Sequence, residues 1–297
     1  MTELLLEFSP SAYLTDAQLS RLTRIPVFTT LADDPMPLAN TVRNLLGITY
    51  KDQVGWHNDY EAFSHWRSAF ERIGVLVCQA TGIPVEEMRG FSVSDTPLPM
   101  VVVNSKDAVR GRIFTLLHEF GHVLLRKGGV CDLDEDALRP PEEQHIEIFC
   151  NRLAGEILVP TTYLLQEESV VAKGPNSEWS KEEIAALAQR YHVSREALLR
   201  RLLICGFTTE DFYQRQREVF QQAYQSQRQT QRAGYVPPHR KVISNAGRFF
   251  VRLVLHGYYQ EKLTASDLSD YLEVRLKHLE PLEQEVIGHS VVSGALA

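Results

Sequence analysis

Residues 112–126 read Arg-Ile-Phe-Thr-Leu-Leu-His-Glu-Phe-Gly-His-Val-Leu-Leu-Arg, which sets His118, Glu119 and His122 inside an otherwise apolar run. Ile113, Leu116, Leu117, Val123, Leu124 and Leu125 recur at roughly helical spacing, and this predicts one largely buried helix. Imidazole and carboxylate groups carried into a core need partners to offset their desolvation. The rest of the chain must therefore fold so as to supply one. His118 and His122, four residues apart, project from the same helical face about one turn apart. There the two imidazoles can meet a single Zn2+ at about 2.0–2.1 Å. Glu119 falls beside them, placed to take a proton rather than to ligate. Gly121 leaves room for another segment to pack closely on this face.

A catalytic zinc takes three protein ligands and keeps one position open, so a donor is expected from a facing helix. Residues 142–158, closed by Val159-Pro160, form that helix. Glu147 is the best third ligand: Ile146 and Ile148 beside it are apolar, and Asn151 lies one turn on, where it can hydrogen-bond a ligating histidine. His145 is the competing ligand. Glu143 sits in the exposed first turn, and Glu156 on another part of the helix surface.

The 297 residues, 44% hydrophobic and 23% charged, suffice for one large or two modest domains. No apolar run reaches membrane-spanning length and the N-terminus lacks a basic leader, so a cytoplasmic protein without membrane association is expected. The net charge of −7 argues against a nucleic-acid coat. Residues 195–252 nevertheless carry 11 Lys+Arg against 4 Asp+Glu, a patch read as a solvated face in preference to a partner surface. Cys78, Cys131, Cys150 and Cys205 form no C-x-x-C pair and read as small buried hydrophobes.

The pattern along the chain predicts a mostly helical α+β fold, with a small three-stranded sheet before the helix that carries His118 and His122. A short helix is expected over 15–22, a helical pattern carried by Leu38, Val42, Leu45 and Leu46 over 37–48 and stopped by Gly47, and a third helix over 60–73 capped by Asp59. Strands are expected at 75–79, 88–93 and 100–104, forming a meander. The last of these would offer its edge to an extended substrate, with Asn104, Ser105 and Lys106 at the mouth. Gly128-Gly129 is expected to end the helix, and residues 130–142 to form an acidic lid, from which the Cys131 thiolate could block the metal's open position. Residues 180–205 read as a helix-turn-helix-like pair with a capping box at Ser180–Glu183. Packing on the neighbouring domain is favoured there over DNA contact through Arg195, Arg200 and Arg201. A glutamine-rich helix over 209–231, a linker at 234–240 and helices at 248–260 and 264–272 complete the chain.

The run from Phe114 to His122, followed by Glu147, Asn151, Ala154, Leu158 and Pro160, resembles the ImmA/IrrE family of metallo-endopeptidases. Arg89-Gly90-Phe91 and the stretch from Val103 to Asp107 extend the resemblance to about residues 40–165. It implies zinc held by His118, His122 and Glu147, with Glu119 as the general base. It also implies cleavage of an XRE-type helix-turn-helix repressor, releasing stress, prophage or mobile-element genes. Two departures stand out: Leu153 where many relatives carry an aromatic residue, and no helix-turn-helix before residue 40. The oxyanion donor is open among Tyr163, His192 and His145. The expected division is an N-terminal extension at 1–35, a zinc metallopeptidase domain at 36–175, a helix-turn-helix-like region at 176–232 and a C-terminal helical subdomain at 233–297. The rival reading is a non-catalytic zinc module that docks a repressor or serves in a toxin-antitoxin pair. An aminopeptidase is disfavoured because no acidic clamp for a free amine is evident.

Overall fold

The computed structural model describes residues 25–94, 98–127, 129–131, 140–228 and 235–287. The helix expected over 15–22 lies outside them, as does the greater part of the expected acidic lid. The described residues open with α1 (Pro35–Leu46), α2 (Tyr50–Gly55) and α3 (Asp59–Arg72). Asp34 caps α1 by accepting from the Met36 amide, and Gly47 ends it at φ 64, the left-handed conformation that glycine adopts without strain. The cap of α3 is Asn58 rather than the expected Asp59. The Asp59 carboxylate is turned instead to Arg110 at 2.8 Å and His192 at 2.9 Å.

Strands β1 (Leu76–Ala80), β2 (Gly90–Val93) and β3 (Met100–Asn104) precede the long helix α4 (Val109–Leu125), and β4 (Gly129–Cys131) follows it. Sheet order is β1-β3-β2-β4, with β1 parallel to β3 and the other pairs antiparallel. The expected meander is therefore corrected: β3, apolar along nearly its whole length and buried throughout, is an interior strand. Two further expectations give way here. Helix α4 is capped at Arg126, which adopts φ 53, and Gly129, assigned to its stop, starts a fourth strand.

Alternation along the strands splits the core into two layers. Val77, Val101 and Val103 face the first, which runs from Ala39 to Tyr213 and so crosses the expected boundary at 175 without a break. Leu76, Cys78, Ala80, Phe91, Met100 and Val102 face the second, which is completed by residues from Val242 to Val286. That second layer comprises α11 (Pro238–Ala246), α12 (Arg248–Tyr259), α13 (Ala265–Leu272) and α14 (Leu279–Ile287), reached after α5 to α10 described below. Pro238 begins α11, so the expected linker at 234–240 is shorter than its composition suggested. Arg67 fastens this layer to the sheet, donating to the carbonyls of Ser244 and Val77, while Glu71 accepts from the Phe249 amide.

Helix α5 (Pro141–Leu158) packs along α4 and α1. The carbonyls at its C-terminal end, which an isolated helix leaves without partners, are each met by a buried side chain. Arg43 donates to Ile157 at 2.6 Å, Gln53 to Leu158 at 2.8 Å and Arg201 to Val159 at 3.1 Å. Arg201 also pairs with Glu156. After α6 (Thr161–Leu164) and α7 (Glu168–Lys173) come α8 (Lys181–Arg190) and α9 (Arg195–Ile204), the expected helical pair, with the capping box at Ser180 in place. Arg201 is only 3% exposed and committed to α5, so its expected availability to phosphates is corrected. Arg200 pairs with Tyr213 and Glu196. Helix α10 (Glu210–Arg228) then leads toward the C-terminal layer.

Candidate metal centre

Three elements build the site. Helix α4 supplies His118, Glu119 and His122, α5 supplies Glu147 and Asn151, and β2 lies against α4 on a further side. Close approach of the helices follows from residue size. A side chain at Gly121 would place its Cβ 2.9 Å from Cys150 Sγ and 3.3 Å from Cys150 Cα. Gly121 therefore lets α5 come near enough for its carboxylate to reach the histidines.

His118 Nε2 lies 3.2 Å from one Glu147 oxygen, and His122 Nε2 lies 3.4 Å from the other. The two Nε2 atoms are 3.2 Å apart. The three residues offer ligating atoms all within 4.8 Å of one another, the arrangement that can hold a metal ion. Two imidazoles and one carboxylate are the donor set of a three-ligand divalent site. On the far side of its ring, His118 Nδ1 meets Asn151 Oδ1 at 2.8 Å, which fixes Nδ1 as the protonated nitrogen and leaves Nε2 free to ligate. Burial pushes His118 toward its neutral form, but the adjoining carboxylates of Glu147 and Glu119 outweigh it and hold its pKa above the ordinary value. An ion in the triangle relieves this crowding, because it replaces the shared proton as the positive charge.

Glu119 is fully buried, and neither carboxylate oxygen makes a well-formed hydrogen bond, Ser92 being the side chain within reach. Burial pushes its pKa up, against the pull of His118 and His122. A carboxylate in that state is a strong proton acceptor, and desolvation at this level is seldom tolerated without a use. Gly90 is the reason it can lie under the sheet. A Cβ at that position would run into the Thr115 methyl, come within 2.8 Å of the Val102 carbonyl and sit 3.4 Å from Glu119 Cγ. Glycine inside a strand often marks such a close approach, a signal present in the sequence and not used there. Ser92, which shares a strand face with Gly90, is likewise absent from the sequence-derived set.

The remaining expected site residues lie elsewhere. Asn104 and Ser105 do not offer a strand edge, since β3 is paired on both sides. The Asn104 amide donates to the carbonyls of Ile83 and Met88, and its oxygen accepts from Lys106 N. His145 is exposed, and lies two residues from Glu147 on a different face of α5, outside the group formed by His118, His122 and Glu147. His192 has both ring nitrogens occupied, by Asp59 Oδ1 at 2.9 Å and the Trp56 carbonyl at 3.2 Å. Tyr163 stacks on Tyr50 with ring centres 4.1 Å apart, beyond the end of α5 and roughly 17 Å along that helix from Glu147. The Cys131 backbone pairs with Gly90 in the sheet, and its thiol lies outside the described residues. Cys78 and Cys150 are buried, the Cys78 thiol pushed up to about 12 by burial, as expected of packing residues.

Comparison with known proteins places this geometry. Residues 70–203 match the family model described as Peptidase_M78: IrrE N-terminal-like domain. That span contains all four strands, both helices of the metal centre and the α8–α9 pair nearly to its end. No curated protein matches the chain.

Proposed function

With residues 70–203 forming a peptidase domain of the ImmA/IrrE family, we propose that the protein is a zinc-dependent endopeptidase. Its substrate on this reading is a helix-turn-helix transcriptional repressor of the XRE type, cut so that repression is relieved. One observation carries the proposal: a His-His-Glu triangle closes within 4.8 Å beside a fully buried carboxylate. His118, His122 and Glu147 would hold the ion, and when bound it supplies Lewis acidity to the scissile carbonyl and to the attacking water.

The chain's own residues do the rest. Glu119 takes the proton from the water as it attacks, because its desolvated carboxylate gains by protonation. It then hands that proton to the departing amine nitrogen, so the carboxylate is regenerated each turnover. Asn151 keeps the His118 ring from rotating. The burial of Glu119 against Gly90 and Thr115 keeps bulk water from supplying a competing proton.

The test is co-incubation of the zinc-loaded protein with the repressor encoded beside it. Cleavage by the wild type is expected, with a fall of about 10²–10⁴-fold in Glu119→Gln while zinc content is unchanged. Stable binding of the repressor with no cut under any divalent metal would overturn the reading and leave a docking module.

A further inference from the structure

Beneath β2 the structure gathers buried oxygens that make no well-formed hydrogen bond. Ser92 Oγ, Thr115 Oγ1 and both oxygens of Glu119 are among them, and Ser92 is the neighbouring side chain within reach to hydrogen-bond Glu119. Ser92 is 3% exposed and Thr115 1% exposed, so bulk solvent does not satisfy them. Their placement is not scattered. Gly90 and Ser92 stand on the same face of β2 by the period-two rule, and Gly90 lies directly against Thr115 and Glu119 Cγ. Thr115 and Glu119 are one helical turn apart on the face of α4 that meets this strand. Phe91, between the two strand residues, points to the opposite core layer. A buried serine that faced only apolar neighbours would cost stability for nothing. This one faces an acid that needs a donor.

Resting on the peptidase reading above, we propose that Ser92 is the positioning residue for Glu119. Its hydroxyl donates to one carboxylate oxygen, directly or through one water, and leaves the other oxygen turned toward the reacting water. A carboxylate able to rotate about its terminal torsion presents either oxygen at random. A donor on the sheet side removes that freedom, and orientation of a base governs its rate. The hydroxyl keeps its own proton throughout, so the acid-base cycle of Glu119 is unaltered. Ser92 touches neither substrate nor ion; it acts through Glu119 alone.

The experiment uses the full chain loaded with zinc and the repressor of the preceding test as substrate, with Ser92→Ala, Ser92→Thr and Glu119→Gln compared. Expected is a fall of about tenfold in kcat for Ser92→Ala, the factor carried by one hydrogen bond to a charged group. KM and zinc content should stay at wild-type values, and the Ser92→Thr hydroxyl should recover part of the rate. Wild-type kcat in Ser92→Ala, with Glu119→Gln inactive, overturns the proposal and leaves the peptidase reading standing. A wild type no more active than Glu119→Gln overturns the peptidase reading instead. The hydrogen bond is then decided without substrate by urea unfolding of wild type, Ser92→Ala, Glu119→Ala and the double variant. Non-additive midpoints support the Ser92–Glu119 contact, and additive midpoints overturn it.

Discussion

Two groups of buried polar side chains lie at different parts of the same pair of packed helices, and they have been treated in opposite ways. At the C-terminal end of α5, the carbonyls of residues 157, 158 and 159 are matched by Arg43, Gln53 and Arg201. Glu156 there is just as fully engaged, accepting from the Thr161 amide and hydroxyl as well as from Arg201. At the middle of α4 the carboxylate of Glu119 and the hydroxyls of Ser92 and Thr115 make no well-formed hydrogen bond to the rest of the fold. Folding alone rewards the first arrangement. The second is tolerated because those oxygens are used by something other than the fold, which is what separates a structural polar cluster from a chemical one.

The sharpest way to break this contrast is at Arg201. Because its removal leaves Glu156 buried and uncompensated, Arg201→Ala should cost about 3–5 kcal/mol of stability in urea unfolding. A loss below about 1 kcal/mol would mean the α5 cluster is no more structural than the metal face. Next is Gly90→Ala, which forces β2 away from α4 and should destabilise by about 1–3 kcal/mol. The same variant should slow peptide cleavage beyond what its stability loss explains, and equal activity of the folded fraction would count against the tight contact. Asn151→Ala should weaken zinc binding by about 10–100-fold, read by competition with a chromophoric chelator. An unchanged affinity would mean His118 is oriented by something else.

The smallest effect is a pH slope in protein stripped of metal. Glu119 is held above its ordinary value of 4.5, so above that pH the folded chain retains a proton the unfolded chain has released. The stability this provides is lost as pH rises through the folded value. His118, raised from 6.5, has the same sign: its contribution is present below 6.5 and disappears as pH climbs through its folded value. Melting of the stripped protein should therefore fall as pH rises above 4.5, and further above 6.5, and Glu119→Gln should flatten the slope. Identical slopes for the two proteins would show that the carboxylate is not desolvated. Restoring zinc should reverse the trend, since its ligands bind only when deprotonated.

Spacing within one helix was enough to bring His118, Glu119 and His122 into register, because helical geometry is local. Glu147 was also legible, since an acid among apolar neighbours on a facing helix has few uses. Pairing of strands was not. Whether β3 lies at an edge or inside depends on contacts with β1 and β2 that no nearby residue encodes, and the assignment of Asn104 and Ser105 to a substrate edge failed with it. The oxyanion donor was hard to read from the sequence for a related reason. His192 is chemically suitable, but Asp59 and the Trp56 carbonyl, more than a hundred residues earlier, claim both of its nitrogens. β4 was missed because Gly-Gly after a helix reads equally as a stop or as an extended start.

The layering of the sheet bears on how the molecule can be cut. Residues 70–203 are the span that matches the family model, yet the back of the sheet is roofed by segments that begin only at Val242. A gene fragment trimmed to that match would send Leu76, Met100 and Val102 into water and strip Arg43 from the end of α5. Such a fragment is expected to collect in inclusion bodies, its insolubility reporting the missing roof and saying nothing about the metal centre.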